Sequence, residues 1–174
     1  MVFLLPLLAG CAAAPPQSPA QQACLERMNA HAKELLPGFA VLGHRPEVRI
    51  QLDGEMRAGG FRQPGEVLGD ATPGGRIRLR TTAVCGDRAA ARAVLAHEMA
   101  HVALRHHGTP GTGVTLEWEK PPQQEIEADR LALEVLRATG GDPAAERFLE
   151  CHMTNCAGTP LPRRSGAGAA RPAP

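Results

Sequence analysis

The chain has 174 residues, 43% of them hydrophobic, which is enough for one well-cored domain and too little for two. Its 19 basic and 18 acidic residues leave a net charge of +1 and form no basic stripe, so the composition points away from a nucleic-acid partner. Aromatic residues make up 3% and tyrosine is absent, so any proton donor or oxyanion donor has to be another residue type.

The opening run MVFLLPLLAGC is apolar but shorter than the about 20 residues of a bilayer-spanning helix, and residues 1–10 read as a signal peptide. Leu8, Ala9, Gly10 and Cys11 resemble a bacterial lipobox, in which the cysteine is lipidated and becomes the first mature residue. That resemblance implies export and a membrane tether through Cys11. Ala12, standing where an Asp would signal inner-membrane retention, implies a lipid anchor in the outer membrane, with the protein on the periplasmic face of the cell envelope. An ordinary signal peptide is the alternative. Residues 11–18 are rich in Pro and Ala without an apolar period and read as a linker.

Ser18 and Pro19 suit the N-cap and first position of a helix, whose apolar positions Cys24, Leu25, Met28, Leu35 and Leu36 run to a stop at Pro37 and Gly38. His31 on it reads as a surface or core-edge residue. Residues 48–52 (VRIQL) alternate apolar and polar and predict a half-buried strand. Residues 66–72 and 76–81 predict two more, joined by a tight turn at Pro73, Gly74 and Gly75. The last strand puts Ile77 and Leu79 on one face and Arg76, Arg78 and Arg80 on the other, a solvated face or one that positions substrate.

Asp87 predicts the N-cap of a helix over 88–106, with Gly108 as its stop and His106 and His107 in its last turn, away from the residues at its middle. Residues 109–120, with Trp118, read as a loop; a helix follows from Gln123 to Thr139, and a shorter one begins at Pro143. The folded domain is expected over 19–157, with 158–174 a disordered tail. Cys24, Cys85, Cys151 and Cys156 suggest two disulfides in an oxidising compartment, and the spacing leaves all three pairings open.

The chemistry concentrates at AHEMAH, residues 96–101. His97 and His101 stand four apart, so on a helix both imidazoles face one way and can converge on one metal ion, with Glu98 placed to take a proton from water. A catalytic zinc has three protein ligands and an open position, so a third ligand is needed. The segment EIEAD supplies a candidate in Glu125, while Asp129, one turn on, can accept a hydrogen bond from a ligating histidine. Glu127 points off that face and is not expected to ligate.

The two segments AVLAHEMAHVALRH and EIEADRLALEVL resemble the HtpX- and BepA-like gluzincin zinc metallopeptidases, in the clan that also holds the CAAX prenyl endopeptidases. The resemblance covers about residues 48–136. It implies an α+β, zincin-like minimal metalloprotease domain, with a small mostly antiparallel sheet packed on the HExxH helix and on a second ligand-bearing helix. It implies one Zn²⁺ per chain held by His97, His101 and Glu125, with Asp129 behind them and Glu98 as the catalytic base. It also implies a substrate cleft lined by an edge strand, here taken as the strand ending near Arg80. With no tyrosine, the role of transition-state stabiliser falls to His152, Arg130 or another arginine.

The expected function is a zinc-dependent endopeptidase of the bacterial cell envelope, acting on unfolded or flexible proteins in quality control. Protein and peptide substrates are the expected partners, beside the membrane that holds Cys11. One alternative is a catalytically idle zinc lipoprotein serving as a protein-binding adaptor or holdase. Another is hydrolysis of a non-protein amide such as a cell-wall peptide.

Overall fold

The computed structural model describes residues 18–54, 68–106 and 123–154, the side chains as far as Cys151. The signal and lipobox segment with Cys11, the loop with Trp118, Gly108, the side chain of His152, Cys156 and the tail lie outside the described residues.

Helix α1 (Pro19–Val41) opens on a reciprocal cap: the Ser18 hydroxyl accepts from the Gln21 amide, and the Gln21 side chain accepts from the Ser18 N–H. It does not stop at Pro37 as the sequence suggested but runs through it to Val41. Losing one helical hydrogen bond at proline is outweighed because Leu35, Gly38 and Phe39 on this stretch are buried. The stop lies further on, at Gly43 with φ of 84°, where the His44 amide donates to the Phe39 carbonyl.

Three strands follow: β1 (Arg49–Asp53), β2 (Gly69–Ala71) and β3 (Arg76–Arg80). Their order in the sheet is β1-β3-β2, with β1 parallel and β2 antiparallel to β3, so the sheet is mixed and not mostly antiparallel. Strand β1 thus lies in parallel against β3, the far arm of the β2–β3 hairpin. In that turn the Gly75 amide donates to the Thr72 carbonyl at 2.9 Å. Gly75 has φ of 83° and lies so close to the Glu47 carbonyl that a Cβ would sit 2.0 Å from it, so only glycine fits. Among the described residues β3 is therefore central, and β2 is the edge that packs against α3. This corrects the reading of the strand ending at Arg80 as the cleft-lining edge.

A short helix α2 (Thr81–Val84), which the sequence reading did not distinguish from the strand before it, turns the chain toward α3 (Arg88–Ala103). Asp87 caps α3 by accepting from the amides of Ala89 and Ala90 at 2.7 and 3.0 Å. Every residue of α3 from Ala91 to Ala100 is buried. A helix buried all round is the centre of its fold, and its alanines let α1, α4 (Gln123–Ala138) and α5 (Pro143–Thr154) pack closely against it. The buried guanidinium of Arg92 ties these helices together, pairing with Glu34 of α1 and with Asp142 just before α5. Cys24 of α1 and Cys85 after α2 form a disulfide, one of the three pairings left open.

Candidate metal centre

Helix α3 carries His97, Glu98 and His101 past two neighbours, β2 on one side and α4 on the other. The i, i+4 spacing stacks the two histidines on one face, with their Nε2 atoms 2.9 Å apart. Glu125, in the first turn of α4, reaches over the same point: its Oε2 lies 3.1 Å from His97 Nε2 and its Oε1 3.5 Å from His101 Nε2. Among the described residues these three form the one group whose ligand atoms could hold a metal ion, all lying within 4.8 Å of one another. A tetrahedral zinc with bonds near 2.1 Å separates its ligands by about 3.4 Å, so the triangle has the size the ion needs. Two imidazole nitrogens and one carboxylate oxygen are also the chemistry zinc prefers. The residues fit the ion.

Asp129, one turn after Glu125, is buried at 2% exposure and sits 2.7 Å from His97 Nδ1. Its carboxylate turns the other ring nitrogen of His97 toward the triangle. Burial opposes charge on His97, but the carboxylates of Asp129 and Glu125 outweigh it and raise its pKa to about 10. For Glu125, burial favours the neutral acid, yet the two histidines hold its carboxyl well below the usual carboxylate range. A metal ion held there would compete with the proton for the His97 ring nitrogen.

Glu98 lies against Gly69 of β2, in the same cavity as the triangle, and is 6% exposed. Burial pushes its carboxyl up to about 8, with His97 pulling the other way and Glu125, Asp70 and Asp129 adding to the rise. A carboxyl with its proton equilibrium near neutrality suits general acid–base work. Gly69 of β2 makes its room, since a Cβ there would stand 2.7 Å from Glu98 Oε1. Asp70 beside it is anchored by a two-point pair with Arg78, whose guanidinium also lies 3.9 Å from Asp53. Arg78 is thus committed to its own sheet.

The cavity over this cluster is lined by β2, the α3 residues, Glu125 and His106. Arg130 is exposed on α4 and is not among the described residues that line it. His106 is a correction of the opposite kind. On a helix continuing to position 106 it would point away from His101, but α3 ends at Ala103 and Arg105 turns left-handed with φ of 53°. The chain folds back, and His106 Nδ1 comes to 3.0 Å from His101 Nδ1. Sequence reasoning missed it because the stop falls on an arginine and not on a glycine. Gly69 and Asp70 were missed because nothing local marks the residue that faces a distant carboxylate.

The model for peptidase family M48 matches residues 67–116. That span runs from the edge strand β2 through the end of α3, so it takes in Gly69, His97, Glu98, His101 and His106 and stops before Glu125 and Asp129. No curated relative and no solved structure matches the chain.

Proposed function

From the match of residues 67–116 to the model of peptidase family M48, we propose a zinc-dependent endopeptidase of the bacterial cell envelope that cleaves unfolded or flexible proteins. The observation that carries this reading is the closed triangle of His97, His101 and Glu125, with a buried carboxylate, Glu98, beside it.

Held by those three residues, zinc supplies Lewis acidity for the scissile carbonyl and acidifies water. Glu98 accepts the proton of the attacking water at its carboxylate while the hydroxyl adds to the acyl carbon. It then delivers that proton to the leaving amine nitrogen as the C–N bond breaks. Asp129 keeps the His97 ring oriented throughout. A peptide binds extended along β2, which among the described residues pairs with β3 on one side only, and strand addition there favours chains that are already unfolded. The lipid on Cys11 and the linker after it hold this domain to the outer membrane, on its periplasmic face.

Glu98→Gln keeps size and polarity but removes the base. We expect it to retain zinc and to lose casein or unfolded outer-membrane protein cleavage by about 10²–10⁴-fold. Cleavage at the wild-type rate would sink the assignment. A second reading, an idle zinc lipoprotein acting as adaptor or holdase, is favoured by the absent tyrosine and the outward-facing Arg130. The buried Glu98 weighs against it, because a structural zinc has no use for a base.

A further inference from the structure

Of the two histidines in the triangle, His97 has an evident partner behind it in Asp129. The geometry points to a matching arrangement for His101: His106 is its positioning residue, and Glu127 in turn orients His106. This rests on the zinc reading above and adds two residues to it.

The backbone brings His106 there by a defined turn. Arg105 N–H donates to the Val102 carbonyl at 3.1 Å, and His106 N–H donates to the His101 carbonyl at 3.0 Å. Arg105, between them, is the single non-glycine among the described residues with positive φ. A side chain held in the left-handed region persists where its surroundings demand it, and such positions gather at functional sites. The turn sets the rings of His101 and His106 with centroids 5.1 Å apart at 70°, and His106's side chain is only 9% exposed.

Two ring nitrogens 3.0 Å apart can bond only if one carries hydrogen and the other a lone pair. His101 Nε2 faces His97 Nε2 and Glu125, where a cation requires its lone pair. The hydrogen of His101 must then be on Nδ1, and it is donated to Nδ1 of His106. That leaves the hydrogen of His106 on Nε2, where the Glu127 Oε2 stands 3.3 Å away to accept it. One assignment thus satisfies every group in the row from Glu127 through His106 to His101. Glu127, which the helix period turns away from the metal face, therefore acts at one remove. Gln123 holds its other oxygen at 2.8 Å.

The test measures zinc affinity of the full chain by competition with a chelator, for wild type, His106→Ala and His106→Asn. Partners that orient a ligating histidine are worth about 10–100-fold in metal affinity. His106→Ala should lose on the order of 10-fold or more, while His106→Asn, whose carboxamide oxygen can accept the same Nδ1–H, should stay close to wild type. In the zinc-loaded wild type, imidazole nitrogen NMR should place the His106 hydrogen on Nε2. Wild-type affinity in His106→Ala, an Asn variant as weak as the Ala variant, or a His106 hydrogen on Nδ1 would each overturn the proposal. A wild-type chain that binds no zinc would instead overturn the metallopeptidase reading, and this one with it.

Discussion

Glu98 can act as a base only if its carboxylate stays where the fold puts it, and the residue that decides this is Gly69. A methyl group at Gly69 would lie 2.7 Å from Oε1, 2.9 Å from Cγ and 3.0 Å from Cδ of Glu98, so the whole end of the side chain would have to move. Glu98 is 6% exposed, so its side chain has little room to shift. Displacing a reacting group by about 1 Å can cost about 10²-fold in rate. Gly69→Ala should therefore lower kcat by roughly 10–100-fold while zinc content stays at the wild-type level, because the three atoms nearest a Cβ there all belong to Glu98. Steady-state kinetics beside metal analysis checks this, and an unchanged kcat would mean that β2 does not fix the base. His97, Glu98 and His101 were legible in the sequence because helix geometry alone sets their relation. The one-turn spacing of Glu125 and Asp129 was legible in the same way, while their approach to the histidines is a contact between helices that the family resemblance implied. Gly69 was not, because its significance depends on a contact between elements that no local pattern encodes.

Elements were legible where a local cap defined them, as at Ser18 and Asp87, and illegible where packing overrode the local signal. Two stops were misplaced for that reason. Pro37 and Gly38 look like a helix end, yet α1 continues because Gly38 is the point where it crosses α4. At the other misplaced stop, Arg105 ends α3 without the expected glycine, and the cost of its left-handed backbone is tolerated where it brings His106 to His101. The parallel pairing of β1 with β3 also could not be read, since it joins residues such as Ile50 and Ile77 across an intervening strand. Gly38 yields a test of the packing argument. A Cβ there would come within 2.8 Å of Thr139 Cγ2 and 2.9 Å of the Val135 carbonyl oxygen, and a helix backbone cannot give way as a flexible side chain can. Helix propensity favours alanine over glycine by about 1 kcal/mol, whereas overpacking costs about 1–3 kcal/mol. Gly38→Ala should thus lower the urea midpoint, and a raised midpoint would show that α1 and α4 separate freely.

At the scale of the molecule, the centre is held in a fold with little aromatic mass. Phe39 is the one fully buried aromatic among the described residues, and the rest of the core is aliphatic and small, with many alanines along α3. Alanines allow close helix approach but each removes little apolar surface from water. A covalent tie then carries more weight, and the Cys24–Cys85 disulfide joins α1 to the chain just before α3 across a separation of 61 residues. All three strands and α2 lie within that loop, so the tie limits the freedom of every element that precedes the HExxH helix. The chain-entropy relation gives about 4 kcal/mol for a loop of this length. Replacing both cysteines by serine should lower the unfolding free energy of the metal-free protein by about that amount. Zinc at about 100 times its Kd adds about 2.7 kcal/mol to any state that binds it and not to the unfolded chain. The double variant should therefore recover more than half of its loss when zinc is added, and urea titrations with and without the metal separate the two contributions. Equal stability of wild type and double variant without zinc would show that the aliphatic core alone holds α1 to α3, whereas a variant that zinc fails to rescue would show that the disulfide is needed to assemble the triangle itself.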